Sequence, residues 1–190
     1  SNLISFYSLP TDNNIDNMLI SNTNDYIFSI LGESSSSVNI GNNNWEGSLN
    51  SFTSTQGYWF RTINATSLYI ENTWDITDTL LYNLHLGANL ISFPAPGSVG
   101  ISDGLPDDIE GYVPYILSQN SATMQIDDGV WIGTLMNFEG LHGYWIITDS
   151  DISFSYDLDT ENLSRASNPY RQAEKPEGFE FVQSTQQAFY

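Results

Sequence analysis

Apolar, aromatic and glycine positions recur along this chain at a fixed spacing. Trp45 and Trp131 are 86 residues apart, and each is followed by a Gly, a Leu, a Phe and then Gly-Tyr-Trp, ending at Trp59 and Trp145. The match has no gap over residues 10–70 of the first copy. Most matching positions have residue types that fill cores and set turns, whereas charged positions do not match. The pattern therefore predicts a repeated folding unit and not a repeated active site.

Alternation of apolar and polar residues predicts that each copy is built mainly from short strands. We predict strands over residues 2–9, 26–31, 38–40, 57–63 and 67–70 in the first copy, and over residues 81–93, 112–117, 124–126, 143–148 and 152–156 in the second, with a further strand beginning at each of Trp45 and Trp131. Apolar residues four apart behind capping residues predict a short helix at residues 12–19 and at 101–105.

Two local features distinguish the second copy. Its first strand has a longer lead-in, starting at residue 81, which the first copy lacks. Pro114 lies inside the strand predicted over residues 112–117, and a proline cannot donate a ladder hydrogen bond. We therefore expect that strand to lie at the edge of its sheet.

The fold class predicted is all-β, with two tandem small β-sandwich or partly open barrel domains of about six strands and one short helix each. An extended C-terminal tail completes the chain. The predicted boundaries are residues 1–73 for repeat unit 1, 74–80 for a short linker, 81–158 for repeat unit 2, 159–177 for an extended polar tail, and 178–190 for a strand-like segment that could begin a further domain.

Composition narrows the classes of partner. The 190 residues are 40% hydrophobic, which suffices for packed cores, and the net charge of −19 repels nucleic-acid backbones and anionic lipid. The chain has no cysteine, so disulfides and thiolate metal sites are excluded. No run reaches the roughly 20 apolar residues of a membrane span. We expect neither nucleic-acid binding nor membrane insertion.

Catalysis has little support in the sequence. His85 and His142 are the only histidines, and no Gly-x-Ser-x-Gly nucleophile motif occurs. We therefore predict that the chain is not an enzyme.

Acidic pairs are the candidate metal ligands. Asp127, Asp128, Asp149 and Asp151 could supply oxygens to Ca²⁺, although no twelve-residue calcium loop is present. Asp and Asn also occur in turns for conformational reasons alone. We expect no cofactor, with bound Ca²⁺ as the alternative.

Aromatic residues give the remaining candidates. Successive side chains of a strand point to opposite faces, so one ring of each Gly-Tyr-Trp should be in the core and the other outward. The candidate sugar-stacking residues are Tyr58, Tyr144, Trp45 and Trp131; the predicted core residues are Trp59, Trp145, Phe52, Phe138, Leu49 and Leu135; and the predicted partner-contact residues are Phe179, Phe181, Phe189 and Tyr190.

The combined pattern of Asn-Leu-Ile-Ser-Phe, Trp-x-Gly-x-Leu and Gly-Tyr-Trp resembles repeat modules of secreted or surface proteins of marine bacteria and of marine tailed phages. The resemblance implies a non-catalytic structural or adhesive module of an extracellular, cell-surface or virion assembly, contacting other protein chains or domains. A carbohydrate-binding module using exposed aromatics and a calcium-stabilised adhesin domain are the alternatives.

Overall fold

The computed structural model describes residues 1–19, 26–68, 70, 73–75 and 80–158, with only the backbone for 73–75. It confirms the all-β prediction. Repeat 1 contains β1 (Asn2–Ser5), β2 (Ser8–Pro10), α1 (Ile15–Met18), β3 (Ile27–Leu31), β4 (Ser36–Asn39), β5 (Trp45–Gly47), β6 (Gly57–Thr62) and β7 (Thr73–Asp75). Repeat 2 contains β8 (Tyr82–Leu84), β9 (Gly87–Ser92), β10 (Ser98–Gly100), α2 (Ile101–Gly104), α3 (Asp107–Glu110), β11 (Tyr115–Leu117), β12 (Ala122–Asp127), β13 (Val130–Gly133), β14 (Asn137–Glu139), β15 (Gly143–Thr148) and β16 (Ile152–Phe154).

Each repeat is built on a five-stranded antiparallel sheet with the same strand order. The order is β1-β6-β3-β4-β5 in repeat 1 and β9-β15-β11-β12-β13 in repeat 2. These strands correspond one to one under the offset seen in the sequence. The duplicated spacing of apolar residues thus produces a duplicated sheet.

The buried apolar residues form two separate clusters, one from each repeat. The repeat 1 cluster includes Phe6, Ile30 and Phe52, whereas the repeat 2 cluster includes Ile116 and Phe138. Each cluster combines residues of the five-stranded sheet with residues of the short elements packed on its inner face. Each repeat therefore has its own core, and each core relies on aromatic rings in contact.

The layer over the inner face differs between the repeats. In repeat 2, β16 pairs with β8, which belongs to the lead-in that repeat 1 lacks. Residues 67, 68 and 70, predicted as part of a strand, are not in a strand, because their copy has no counterpart of β8 to pair with. Repeat 1 instead pairs β2 with β7, so the first part of the predicted linker belongs to a strand.

The segment before β11 also differs from expectation. Residues 107–110 form α3, which the sequence analysis missed, and β11 begins only at Tyr115, after Pro114. The expected edge position is wrong, because β11 lies between β12 and β15. Pro114 needs no ladder donor there, and its carbonyl accepts a hydrogen bond from Gln125 N at 3.0 Å.

The two repeats meet through an interface whose two halves match. Ser5 N donates to Leu141 O at 3.1 Å in one half, and Ser92 N donates to Thr55 O at 3.2 Å in the other. The side chains of the same serines also donate across the interface: the Ser5 hydroxyl donates a hydrogen bond to His142 O, and the Ser92 hydroxyl donates one to Ser54 O. The interface is therefore isologous, as in a two-fold dimer, but lies within one chain.

Side chains repeat the same symmetry. Leu3 and Leu90 are both buried, yet neither belongs to a repeat core. Their amides donate to side chains of the opposite repeat, Leu3 N to Gln119 Oε1 at 2.8 Å and Leu90 N to Glu33 Oε2 at 2.7 Å. These leucines therefore form a small apolar centre between the repeats, bounded by backbone hydrogen bonds.

One half of the interface carries an additional ion pair. His85 Nε2 lies 2.8 Å from Glu33 Oε1, and His85 Nδ1 lies 2.8 Å from Leu86 O. Both neighbours are hydrogen-bond acceptors, so the cationic ring, with a proton on each nitrogen, is the form that satisfies both contacts. The bond to the Leu86 carbonyl, followed by the bond to Glu33, raises the pKa of His85 above its ordinary value of 6.5.

We expect this contact to weaken as the solution becomes alkaline. Because the folded pKa of His85 is raised above its unfolded value, the contact is complete below about pH 6.5 and is lost as the pH rises through the folded pKa. A histidine-ring NMR titration should give a midpoint above 6.5, and Glu33→Gln should lower that midpoint. An identical midpoint in both proteins contradicts the assignment of Glu33 as a partner.

Candidate interaction surface

The outer face of the repeat 2 sheet carries an unbroken row of apolar side chains. Opposite residues of neighbouring antiparallel strands point to the same face. The row crosses all five strands and consists of Ala88, Ile147, Tyr115, Met124 and Ile132. A sheet normally turns such an apolar row toward its core. Here the row lies on the opposite face of the sheet.

Most of this row is open to solvent. Tyr115, Leu117, Met124, Ile126, Val130 and Ile132 each expose between 38% and 53% of their surface. These six residues, on β11, β12 and β13, are called the apolar face below. Contiguous apolar patches of this kind are rare on monomeric soluble proteins and mark places where another molecule binds.

The same positions in repeat 1 supply a natural comparison. The row there is Arg61, Ser29, Val38 and Glu46, paired in the same register. Leu31, Val38 and Ile40 are apolar and exposed there, at the positions of Leu117, Met124 and Ile126. Glu46 stands where repeat 2 has Ile132. Arg61 lies over the Phe28 ring, 5.5 Å from its centroid, at the position of Ile147. An apolar row is thus not needed to form this sheet.

One end of the apolar face is acidic and is fixed by a buried carboxylate. Asp127 is the last residue of β12 and Asp128 lies in the turn that follows; both are exposed. Below this turn Glu110, 3% exposed, accepts a hydrogen bond from the Trp131 indole nitrogen at 2.5 Å. The burial of Glu110 was not predicted from sequence, because a Glu in an acidic stretch gives no sign of burial. The bond holds β13 against α3 and sets the outward direction of Ile132.

The proposed sugar-stacking tyrosines do not reach the surface. Tyr58 and Tyr144 are buried, and their hydroxyls accept hydrogen bonds from the backbone nitrogens of Thr53 and Glu139, both at 2.7 Å. Burial raises the pKa of both hydroxyls. Predicting these two rings as a sugar platform was therefore wrong, because the tyrosine of each Gly-Tyr-Trp is the inward ring.

The tryptophans occupy intermediate positions. Trp45 and Trp131 are partly buried against the cores, and the Trp45 indole donates to Asn43 Oδ1 at 3.1 Å. Trp59 and Trp145 were predicted as core residues, but they are half-buried on the outer faces, where Trp145 lies opposite both Leu90 and Leu117. The four other predicted core residues, Phe52, Phe138, Leu49 and Leu135, are buried within the clusters.

The predicted metal ligands are not brought together. Asp127 Oδ1 accepts from Asp128 N at 3.0 Å, and Asp151 Oδ1 accepts from Leu86 N at 2.8 Å. Asp149 lies in the same turn as Asp151, and its backbone nitrogen donates to Tyr112 O. Within the described ranges, no group of three or more potential ligands is placed to hold a metal ion.

A polar cleft lies beside the junction of the repeats. Its volume is about 530 Å³, and its lining includes Gln119, Asn120, Asn137, Glu139 and His142. Amide and carboxylate groups of this kind suit a small polar ligand. The ring of Tyr144 lies at its base but is buried, so the cleft lacks an exposed aromatic platform.

The predicted partner-contact residues Phe179, Phe181, Phe189 and Tyr190 lie outside the described residues. In the part of the chain that is described, no helix is long and apolar enough to cross a bilayer. No protein-family model, curated protein or solved structure matches this chain. The resemblance to surface modules of marine bacteria and phages therefore stays a prediction.

Proposed function

We propose that this chain is a non-catalytic structural or adhesive module that binds polypeptide through the apolar face of repeat 2. The observation that carries the proposal is the difference between matched positions. Tyr115 and Ile132 replace Ser29 and Glu46 on sheets of the same order and register. Since repeat 1 forms the same sheet with Ser29 and Glu46, the fold does not require an apolar side chain at Tyr115 or Ile132.

The physical properties of the apolar face favour polypeptide over other ligands. Met124 and Ile132 are about half covered already, so covering the rest of each side chain contributes roughly half of the 1.5–3 kcal/mol that full burial gives. Glycans need directional polar groups, and the six side chains of the face offer only the Tyr115 hydroxyl. Apolar side chains of a strand, helix or loop match it better. Placement in an extracellular, cell-surface or virion assembly is part of the same proposal and rests on the sequence pattern.

Glycan binding is the second candidate, and the polar cleft favours it. Asn120 and Asn137 could donate to sugar hydroxyls there, while Glu139 could accept from them. A glycan array tests this candidate directly. Binding by the wild type that is lost in Asn137→Ala, without change in Ile132→Glu, would assign the activity to the cleft.

Selection of displayed random peptides tests the main proposal. The full chain and the double variant Tyr115→Ser/Ile132→Glu, which installs the repeat 1 residues, are immobilised in parallel. Val38→Ser is the matched control in repeat 1. We expect peptides with alternating apolar residues to be enriched on the wild type and the control and not on the double variant. Equal enrichment on all three proteins, or none on any, overturns the proposal.

A further inference from the structure

The side chains of the apolar face are exposed in the described part of the chain, and the sequence continues from residue 158 to residue 190. We propose that residues 178–190 of the same molecule pack across the apolar face. This inference rests on the proposed function and names the polypeptide that fills the site in this chain. Three observations support it: the place where the described chain ends, the length of the following segment, and a basic stretch within that segment.

The described chain ends on the core side of the repeat 2 sheet, near the turn between β12 and β13. Asp157 N donates to Gly104 O at 3.0 Å, which places the end of repeat 2 against α2. The hydroxyl of Ser102, also in α2, donates a hydrogen bond to Gly129 O at 3.4 Å. Gly129 directly precedes Val130, a member of the apolar face. The following residues thus start on the core side of the sheet and have to pass round its β12–β13 end to reach the apolar face.

The segment between is long enough to reach any part of the face. Residues 159–177 provide 19 residues, which span up to about 60 Å when extended. Five strands at about 4.8 Å spacing make a sheet roughly 20 Å across. Length therefore places no restriction on docking within one molecule.

The sequence of residues 178–190 suits an apolar surface. Phe179 and Phe181 are two residues apart, so in an extended chain both rings point to the same side, with Glu180 opposite. Phe189 and Tyr190 add two more rings at the end. Rings on one side of an extended segment would cover Tyr115, Met124 and Ile132, which form one row across three strands.

Charge favours the chain's own tail over a second copy of the body. Residues 1–158 contain 18 acidic residues and a single basic one, Arg61, a net charge of −17, whereas residues 159–190 have a net charge of only −2. Within that tail, residues 162–173 contain Arg165 and Arg171 and no acidic residue. The acidic turn of Asp127 and Asp128 adjoins the face and attracts this basic stretch. Two acidic bodies repel each other at moderate ionic strength, which disfavours face-to-face pairing.

Site-specific photo-crosslinking tests the inference in the full chain. Phe181 is replaced by benzoyl-phenylalanine, whose excited ketone inserts into nearby C–H bonds and favours methionine. At low protein concentration we expect a product of unchanged molecular mass in which residue 181 is joined to the apolar face, most often to Met124. Ile132→Glu together with Tyr115→Ser should lower the yield about tenfold, as a loss of about 1.4 kcal/mol in docking would.

Matched variants separate the possible outcomes. Val38→Ser in repeat 1 should leave the yield unchanged, and unaltered near-ultraviolet circular dichroism shows that each variant folds. No crosslink to the face, an unchanged yield in the double variant, or products of doubled mass overturn the inference. The peptide selection tests the proposed function independently of the crosslinking. If peptides are enriched on the face but residue 181 does not crosslink to it, the proposed function stands and only the tail is refuted as the occupant.

Discussion

Phe138→Ala should destabilise repeat 2 by about 3–5 kcal/mol and leave repeat 1 folded. Phe138 is fully buried, and its ring contacts Phe93, Tyr144 and Tyr156 at centroid distances of 5.9, 5.0 and 5.0 Å. Removing it leaves a cavity bounded by rings that cannot collapse without losing their own contacts. Differential scanning calorimetry should show one of two transitions lowered by more than about 12 °C.

Repeat 1 offers the matched experiment. Phe52 occupies the corresponding position and contacts Phe6 at 4.9 Å and Tyr58 at 5.0 Å. Phe52→Ala should lower the other transition by a similar amount. The Leu86 side chain is 63% exposed, so Leu86→Ala should change the free energy of unfolding of either repeat by no more than about 0.5 kcal/mol. Equal shifts of both transitions in Phe138→Ala would show a single cooperative core and contradict the two-core structure.

Gly57→Ala should separate the repeats at a cost of about 1–3 kcal/mol while both cores remain intact. A Cβ at Gly57 would lie 2.9 Å from Ile91 O and 3.3 Å from the Cα of Gly143. Both neighbours are backbone atoms, so the interface itself must shift. Small-angle scattering should show a larger radius of gyration, and the His85 titration midpoint should fall as Glu33 moves away.

A glycine outside the interface provides the control. A Cβ at Gly111 would meet its nearest atom, Asp128 Oδ1, at 3.8 Å, an ordinary contact distance. Gly111→Ala should therefore keep both the radius of gyration and the His85 midpoint of the wild type. If Gly57→Ala also keeps both values, the repeats do not depend on this close approach.

The sequence predicted the repeated architecture because core positions are constrained by spacing. Phe52 and Phe138, each seven residues after its Trp, are buried in matching environments. Alternation of apolar and polar residues did not predict strands correctly where a strand forms only if a partner strand lies beside it. Residues 67–70 alternate like residues 152–156, but only the latter have β8 beside them.

The functional surfaces were harder to predict, because alternation defines two faces without saying which one is covered. Tyr58 and Trp59 were each plausible as the inward ring, and burial of Tyr58 decided the question. Alternation also does not distinguish a residue buried in a core from one buried between the repeats, as Leu3 is. The apolar face was missed because Met124 and Ile126 fit a strand equally well with either face outward.

The direct test of the polypeptide-docking surface is a methyl NMR titration of the full chain with a peptide obtained by selection. The peptide should shift the methyl resonances of Met124, Ile126 and Ile132, whereas those of Val38 and Ile40 on the corresponding face of repeat 1 should stay in place. A peptide at saturation that leaves the repeat 2 methyls unshifted, or that shifts both repeats alike, would contradict a binding surface confined to repeat 2.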